Sequence, residues 1–289
     1  MSVTDLTDQP SGTPPPPVIN SRSFGRAWGD LVSGFRNHEL WLHLGWQDIK
    51  QRYRRSVLGP LWITLATAVT SVAMGLLYSE LFHMDLKTFL PHLMLGFIFW
   101  NFLADGIKEG SDVFATNDGL LKQIPAPLSV HVYRLVWRQS IILLHNIPIY
   151  IAILIIFPQP VNWTVVLVLP GMFLLALNVA WMTVVFGILS TRFRDISQLL
   201  NTLVQLVFFM TPIIWTTDSL KKNGNGNSAR VKLVELNPAL HYLDVTRGPL
   251  MGQSVPFYHW AIVLGCTAIG CTAAMVVLRN YRARVAYWV

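Results

Sequence analysis

Three side-chain amides share one helical face in the second half of this chain: Gln198, Asn201 and Gln205 recur at i, i+3 and i+7 and lead on to Phe208 and Pro212. Amides exchange hydrogen bonds with hydroxyl-rich molecules, and an aromatic ring supports the flat face of a sugar. A second polar stripe, Thr64, Thr67, Ser71, Met74 and Tyr78, runs at similar spacing through an earlier apolar segment. Inside a membrane such stripes either bond helices together or line a path for polar cargo, and both readings stay open here. A third group is cationic: Arg52, Arg54 and Arg55 surround Tyr53. Guanidinium groups suit bidentate contact with carboxylate or phosphate.

Acid–base and metal chemistry find less support. His43 and Asp48 have the H-x4-D spacing of acyl transfer, but on a helix positions i and i+5 point about 140° apart, so the pair does not converge. His145, beside Asn146 and Pro148, has no carboxylate in reach at its depth and reads as a packing histidine. No Gly-Lys-Ser/Thr phosphate loop occurs, so if ATP drives the protein a partner must supply the ATPase. Cys266 and Cys271 allow neither a disulfide framework nor a four-ligand zinc site, and no catalytic or metal residue is assigned.

The elements that carry these residues are membrane helices. The chain is 53% hydrophobic and 13% charged over 289 residues, and its charges avoid the middles of several long apolar runs. A bilayer core takes about 20 residues of helix, because every backbone polar group must be satisfied within the segment. Six spans are predicted, at 58–82, 88–104, 139–157, 163–189, 196–215 and 260–278. Sixteen of the 22 Lys and Arg residues fall in the two terminal regions and in the loops after spans two and four. The positive-inside rule then puts both termini in the cytoplasm and the chain in the cytoplasmic membrane. The net charge of +7 is explained by membrane-flanking loops, without nucleic acid.

Residues 1–37 read as a cytosolic tail whose first ~20 residues, including Pro14 to Pro17, are disordered. Residues 38–55 read as an amphipathic helix on the cytoplasmic leaflet, with Leu42, Trp46, Ile49 and Tyr53 on one stripe. Residues 56–289 form the six-span domain. The dense aromatics Phe97, Phe99, Trp100 and Phe102 ring span two and read mostly as lipid-facing or interfacial. The loop 217–257 has a turn-prone tip, Asn223 to Asn227, and then two short helical pieces, the second started by Pro238 with Asn237 as N-cap. Its apolar residues Leu233, Leu236, Leu240, Tyr242 and Leu243 need cover from the spans or a partner subunit, so the loop is expected to dip towards the membrane as an outer gate.

The segment Trp46 to Trp62, with its Arg52-Tyr53-Arg54-Arg55 core and Leu58-Gly59-Pro60, resembles the N-terminal motif of Wzm-like permease subunits of polysaccharide, O-antigen and teichoic-acid ABC exporters. Weaker matches follow in order: Gly96 to Trp100, Leu120 to Pro125 with Lys122, Phe208 to Ile213, and Asn237-Pro238 with Arg247. Among family members the chain looks somewhat like the actinobacterial galactan-exporting branch. The resemblance implies an all-α membrane subunit that pairs with a second copy and with two ATPase subunits, which hold ATP and Mg while this chain holds no cofactor. It implies a polyprenyl-diphosphate-linked polysaccharide as cargo, for which the two polar stripes offer a path at Thr67, Ser71, Tyr78, Gln198, Asn201, Gln205 and Phe208. Arg52, Tyr53, Arg54, Arg55 and Lys122 then form the ATPase interface or admit the diphosphate, and Leu236, Asn237, Pro238, Tyr242 and Arg247 form the outer gate. Two alternatives stand beside this: a membrane-embedded acyl- or glycosyltransferase, resting on His43 and Asp48, and an ABC exporter of a smaller lipid or drug.

Overall fold

A computed structural model describes residues 22–59, 61–123, 126–160, 162–217 and 229–289. The Pro-rich run, Pro60, Ile124, Pro125 and the Asn223–Asn227 tip lie outside the described residues. All regular structure among the described residues is helical: α1 (Phe24–Arg36), α2 (His38–Arg52), α3 (Leu61–Leu81), α4 (Leu86–Ser111), α5 (Asp118–Gln123), α6 (Ser129–His145), α7 (Ile147–Ile156), α8 (Val168–Arg192), α9 (Asp195–Met210), α10 (Ala229–Glu235), α11 (Pro238–Leu250) and α12 (Phe257–Trp288). Short 3-10 turns precede α5 and α8.

Among the described residues five stretches are long and apolar enough to cross a membrane: 61–81, 86–111, 129–156, 163–192 and 257–288. The other expected span, 196–215, is the 16-residue helix α9 followed by a turn. At 1.5 Å per residue α9 is about 24 Å long, short of a hydrocarbon core of about 30 Å. Several helices outrun their predicted ends. The apolar run of α4 stops at Ala104, yet the helix continues to Ser111 because Glu109 finds partners on neighbouring helices. In the same way α6 begins at Ser129, with Arg134 and Arg138 paired rather than bare.

The centre of the bundle is α4, packed against α3, α6, α8, α9 and α11. This corrects the reading of its aromatics. Phe97, Phe99, Trp100 and Phe102 are all buried in protein, because α4 has neighbours on every side and its rings fill the core instead of meeting lipid.

The α6–α7 span is interrupted at Asn146, where Pro148 at the start of α7 cannot continue the helical ladder. The hydroxyl of Thr64 on α3 donates to the carbonyl of His145 at 2.7 Å, satisfying a group at the break. His145 itself bonds the carbonyl of Ile141 at 2.7 Å, in keeping with a packing role.

The stretch 22–37 is not a tail. Ser23 caps α1, accepting from the Arg26 amide at 3.3 Å, and α1 packs on α6 and α12. The Asp30 carboxylate, buried, accepts from the amides of Leu128 and Ser129 at 3.3 and 3.1 Å. It thereby sits at the positive end of the α6 dipole. Arg282 of α12 donates to the Arg26 carbonyl at 3.1 Å. The N-terminal helix and the C-terminal end of α12 therefore share one end of the bundle, the basic end.

Candidate functional site: a polar groove and the helices that frame it

α4 and α9 run antiparallel and are tied at the basic end, where the Ser111 and Ser197 hydroxyls meet at 3.1 Å. Between them lies an open groove of about 580 Å³, lined by Trp100 and Lys108 of α4 and by Gln198, Asn201, Thr202, Val204, Gln205 and Phe208 of α9. The three amides and Phe208 thus come together along one wall. Gln198, Asn201 and Gln205 are exposed, and among the described residues their side chains make no hydrogen bond. Phe208 closes the far end, its ring 5.6 Å from Trp100 and 6.0 Å from Phe97. The groove grades from a cation, through amides, to aromatic faces over about 15 Å of helix.

The α3 stripe does not reach this groove. Thr67 and Ser71 are buried, and Leu90 of α4 meets the same face at Gly75. Tyr78 stacks on Phe82 at 5.6 Å. Of the two readings left open for this stripe, the packing one describes its position in the protomer.

At the basic end a chain of ion pairs holds α2. Asp48 accepts from Arg134 at 2.5 and 2.7 Å and from Arg138 at 3.1 Å. Arg138 also reaches Glu109, which in turn takes Arg52 at 2.8 Å and Gln139 at 2.8 Å. Arg134 also donates to the side-chain oxygen Oδ1 of Asn117 at 2.8 Å. Partial burial pulls the Arg52 guanidinium down, but the hydrogen bond and attraction of Glu109 carry it above its ordinary value. Arg52 is therefore committed to an internal partner, whereas Arg54 and Arg55 stand exposed past the end of α2, Arg55 with φ +74°. Tyr53 is half-buried at the α2 C-cap, and Lys122 pairs loosely with Asp118 at 3.7 Å on the exposed α5. These contacts also remove the basis for a transferase. Asp48 is occupied by two arginines, and His43 bonds Gln47 at 2.7 Å.

At the opposite end α11 is wedged between α4, α8 and α12. Asn237 caps it, accepting from the Ala239 amide at 3.0 Å and donating to the Thr211 hydroxyl at 2.9 Å, so the helix start is tied to the end of α9. A Cβ on Gly171 of α8 would sit 2.7 Å from the Val245 carbonyl, so only glycine admits this approach. Arg247 is buried. It donates to Asp244 at 2.9 Å and to the Pro212 carbonyl at 3.0 Å, and lies 3.1 Å from Nε2 of His92. Tyr242 bonds Asn178, which lies midway between Trp163 and Arg192. Leu240 and Leu243 are buried as expected, but Leu233 and Leu236 are exposed, because α11 alone fills the gap and α10 stays outside it. Pro238, the first residue of α11, is exposed beside them.

Three features were invisible to motif reading: α1, the Asp48–Arg134–Arg138–Glu109 chain, and the placement of Trp100 and Lys108 in the groove. The signal for Lys108 was its spacing, since Trp100, Ala104 and Lys108 share one face of a helix carried past its apolar run.

Comparison with known proteins agrees with this architecture. The family model described as ABC-2 type transporter matches residues 39–251. The O-antigen export system permease protein RfbA of Myxococcus xanthus is 24% identical over 200 residues, covering 69% of this chain and 75% of that protein. A protein of the same description from Klebsiella pneumoniae is 23% identical over 182 residues, covering 60% of this chain and 68% of its own length.

Proposed function

The chain belongs to the ABC-2 type transporter family, and from that premise we propose that two copies of it, with two ATPase subunits, export a polyprenyl-diphosphate-linked polysaccharide across the cytoplasmic membrane. Both termini then lie in the cytoplasm, at the basic end, and α9 serves as a sixth, short span. Galactan is the polymer that the sequence resemblance favours, and the O-antigen export permeases among the relatives support a polysaccharide of this general kind.

The observation that carries the reading is the α9 amide face. Three amides with no internal partner, on a helix as apolar as α9, are costly against lipid. They are satisfied if the face looks across a water-filled path at a second copy. Sugars sliding along that path meet amide donors and acceptors in place of water, then the rings of Phe208 and Trp100. The α11 helix, held by Arg247 and Asn237, covers the far end and acts as the outer gate. The basic chain around α2 passes the ATPase stroke to α4 and α6.

The test is polymer export in cells depleted of this chain. Loss of surface polysaccharide with lipid-linked polymer accumulating inside, restored by the full chain, supports the reading. Unchanged surface polymer ends it.

A further inference from the structure

The groove between α4 and α9 carries one charge. Of its eight lining residues seven are neutral, and the eighth is Lys108. The arginines nearby are spoken for: Arg52 and Arg138 on Glu109, Arg134 and Arg138 on Asp48. Lys108 forms no ion pair with any described residue, and its ammonium has no hydrogen-bond partner among them. Asp105, one turn back on α4, is near enough to feel the charge of Lys108 without pairing with it. The next turn towards the basic end closes the groove at Ser111 and Ser197, 3.1 Å apart.

A cation at the inner mouth of an otherwise neutral groove favours an anion there, because the carboxylate that feels its charge, Asp105, forms no ion pair with it. A lysine is a compact point charge with three rotatable donors and binds phosphate oxygens without demanding one fixed geometry. Gln198, beside it, supplies further N–H donors. The volume of about 580 Å³ lies in the usual range for a bound organic ligand, roughly 300–1,000 Å³. The alternative cation, Arg52, faces a different cavity of about 300 Å³, shared with Asp112, Arg134 and Arg138, and is already neutralised.

We propose that Lys108 is the anchoring cation for the phosphate-bearing end of a lipid-linked saccharide, with Gln198 completing the site and Asn201 and Gln205 taking the first sugars. This rests on the polysaccharide-export reading and moves the diphosphate contact from the α2 arginines into the α4–α9 groove.

The experiment uses the full chain purified with its ATPase subunit in phosphatidylcholine nanodiscs, with farnesyl diphosphate as probe and calorimetry as readout. Lys108→Gln should weaken binding about tenfold, Lys108→Arg should stay within about threefold, and farnesol should bind all three proteins alike. Inorganic pyrophosphate should compete in the wild type and not in Lys108→Gln. The Arg variant, and equal thermal stability of the three complexes, separate charge from folding. Equal farnesyl diphosphate affinity in wild type and Lys108→Gln overturns the proposal, as does loss of all probe binding in phosphatidylglycerol nanodiscs, which would make this a bilayer headgroup site. Depletion of the chain reports separately on export. If export depends on the chain while Lys108→Gln binds normally, the anchor lies elsewhere and the transport reading stands.

Discussion

The hydroxyl of Tyr242 donates to the side-chain oxygen of Asn178 at 2.8 Å, and the same oxygen accepts from the Trp181 indole at 2.7 Å, while the Asn178 amide donates to Thr267 at 2.7 Å. Asn178 stands 14 residues from Arg192, so the bond lies about 21 Å from the basic end of α8. A short helix from the long connection between α9 and α12 therefore reaches the middle of α8. Tyr242→Phe should lower stability by about 0.5–1.5 kcal/mol, the net worth of one buried hydrogen bond. Asn178→Leu should cost more, about 2–4 kcal/mol, because it leaves the Tyr242 hydroxyl and the Trp181 indole without their acceptor at once, while Thr267 keeps only its bond to the Val263 carbonyl. Thermal unfolding of the detergent-solubilised protein measures both, and equal effects would mean that the network does not act as a unit.

The Asp48 carboxylate holds two arginines of α6 to α2, so Asp48→Asn should leave the protein folded while loosening that helix. The expected readout is a several-fold loss of cargo-stimulated ATPase activity with basal activity retained. The double exchange Asp48→Arg with Arg134→Asp should recover part of the loss. If Asp48→Asn is silent, α2 is held by its packing on Trp137 and Tyr133 instead.

How far all this was legible in the sequence depends on what each element answers to. The amide stripe of α9 was readable because polar residues at helical spacing in an apolar run must share a face, and the cap at Asn237-Pro238 is a local rule. The burial of the α4 aromatics was not readable, since an apolar side chain is equally at home in lipid and in protein, and only the neighbours decide. The helical extension to Ser111 was hidden for the opposite reason. Glu109 looks like the end of a span until Arg52 and Arg138, distant in sequence, supply its partners. The α3 stripe shows that composition alone leaves glue and path unresolved.

Cysteine labelling distinguishes the two pieces of the outer loop. Leu236 is 81% exposed and Ala239 is 5% exposed, though only three residues apart. In an otherwise cysteine-free background, Leu236→Cys should react with an impermeant maleimide quickly in every state. Ala239→Cys should react slowly at rest and at least severalfold faster during ATP turnover with cargo, if α11 moves as a gate. Slow labelling of Ala239→Cys in both states would make α11 a fixed plug.

The decisive test of the groove is to remove its hydrogen bonding without touching its packing. Asn201 and Gln205 are exposed and their side chains bond no described residue, so Asn201→Leu with Gln205→Leu deletes no hydrogen bond among the described residues. Against lipid the change would be stabilising, because each amide there lacks a partner. Against a water-filled path shared with a second copy it would leave the fold intact and deprive the passing polymer of its donors and acceptors. The expected result is a protein with unchanged thermal stability and dimer content, normal basal ATPase activity in complex with its partner, and polymer export reduced at least tenfold. A gain in stability with export intact would instead place the α9 face in the bilayer and move the path to another pair of helices. Loss of the dimer would assign the amides to contacts between the two copies.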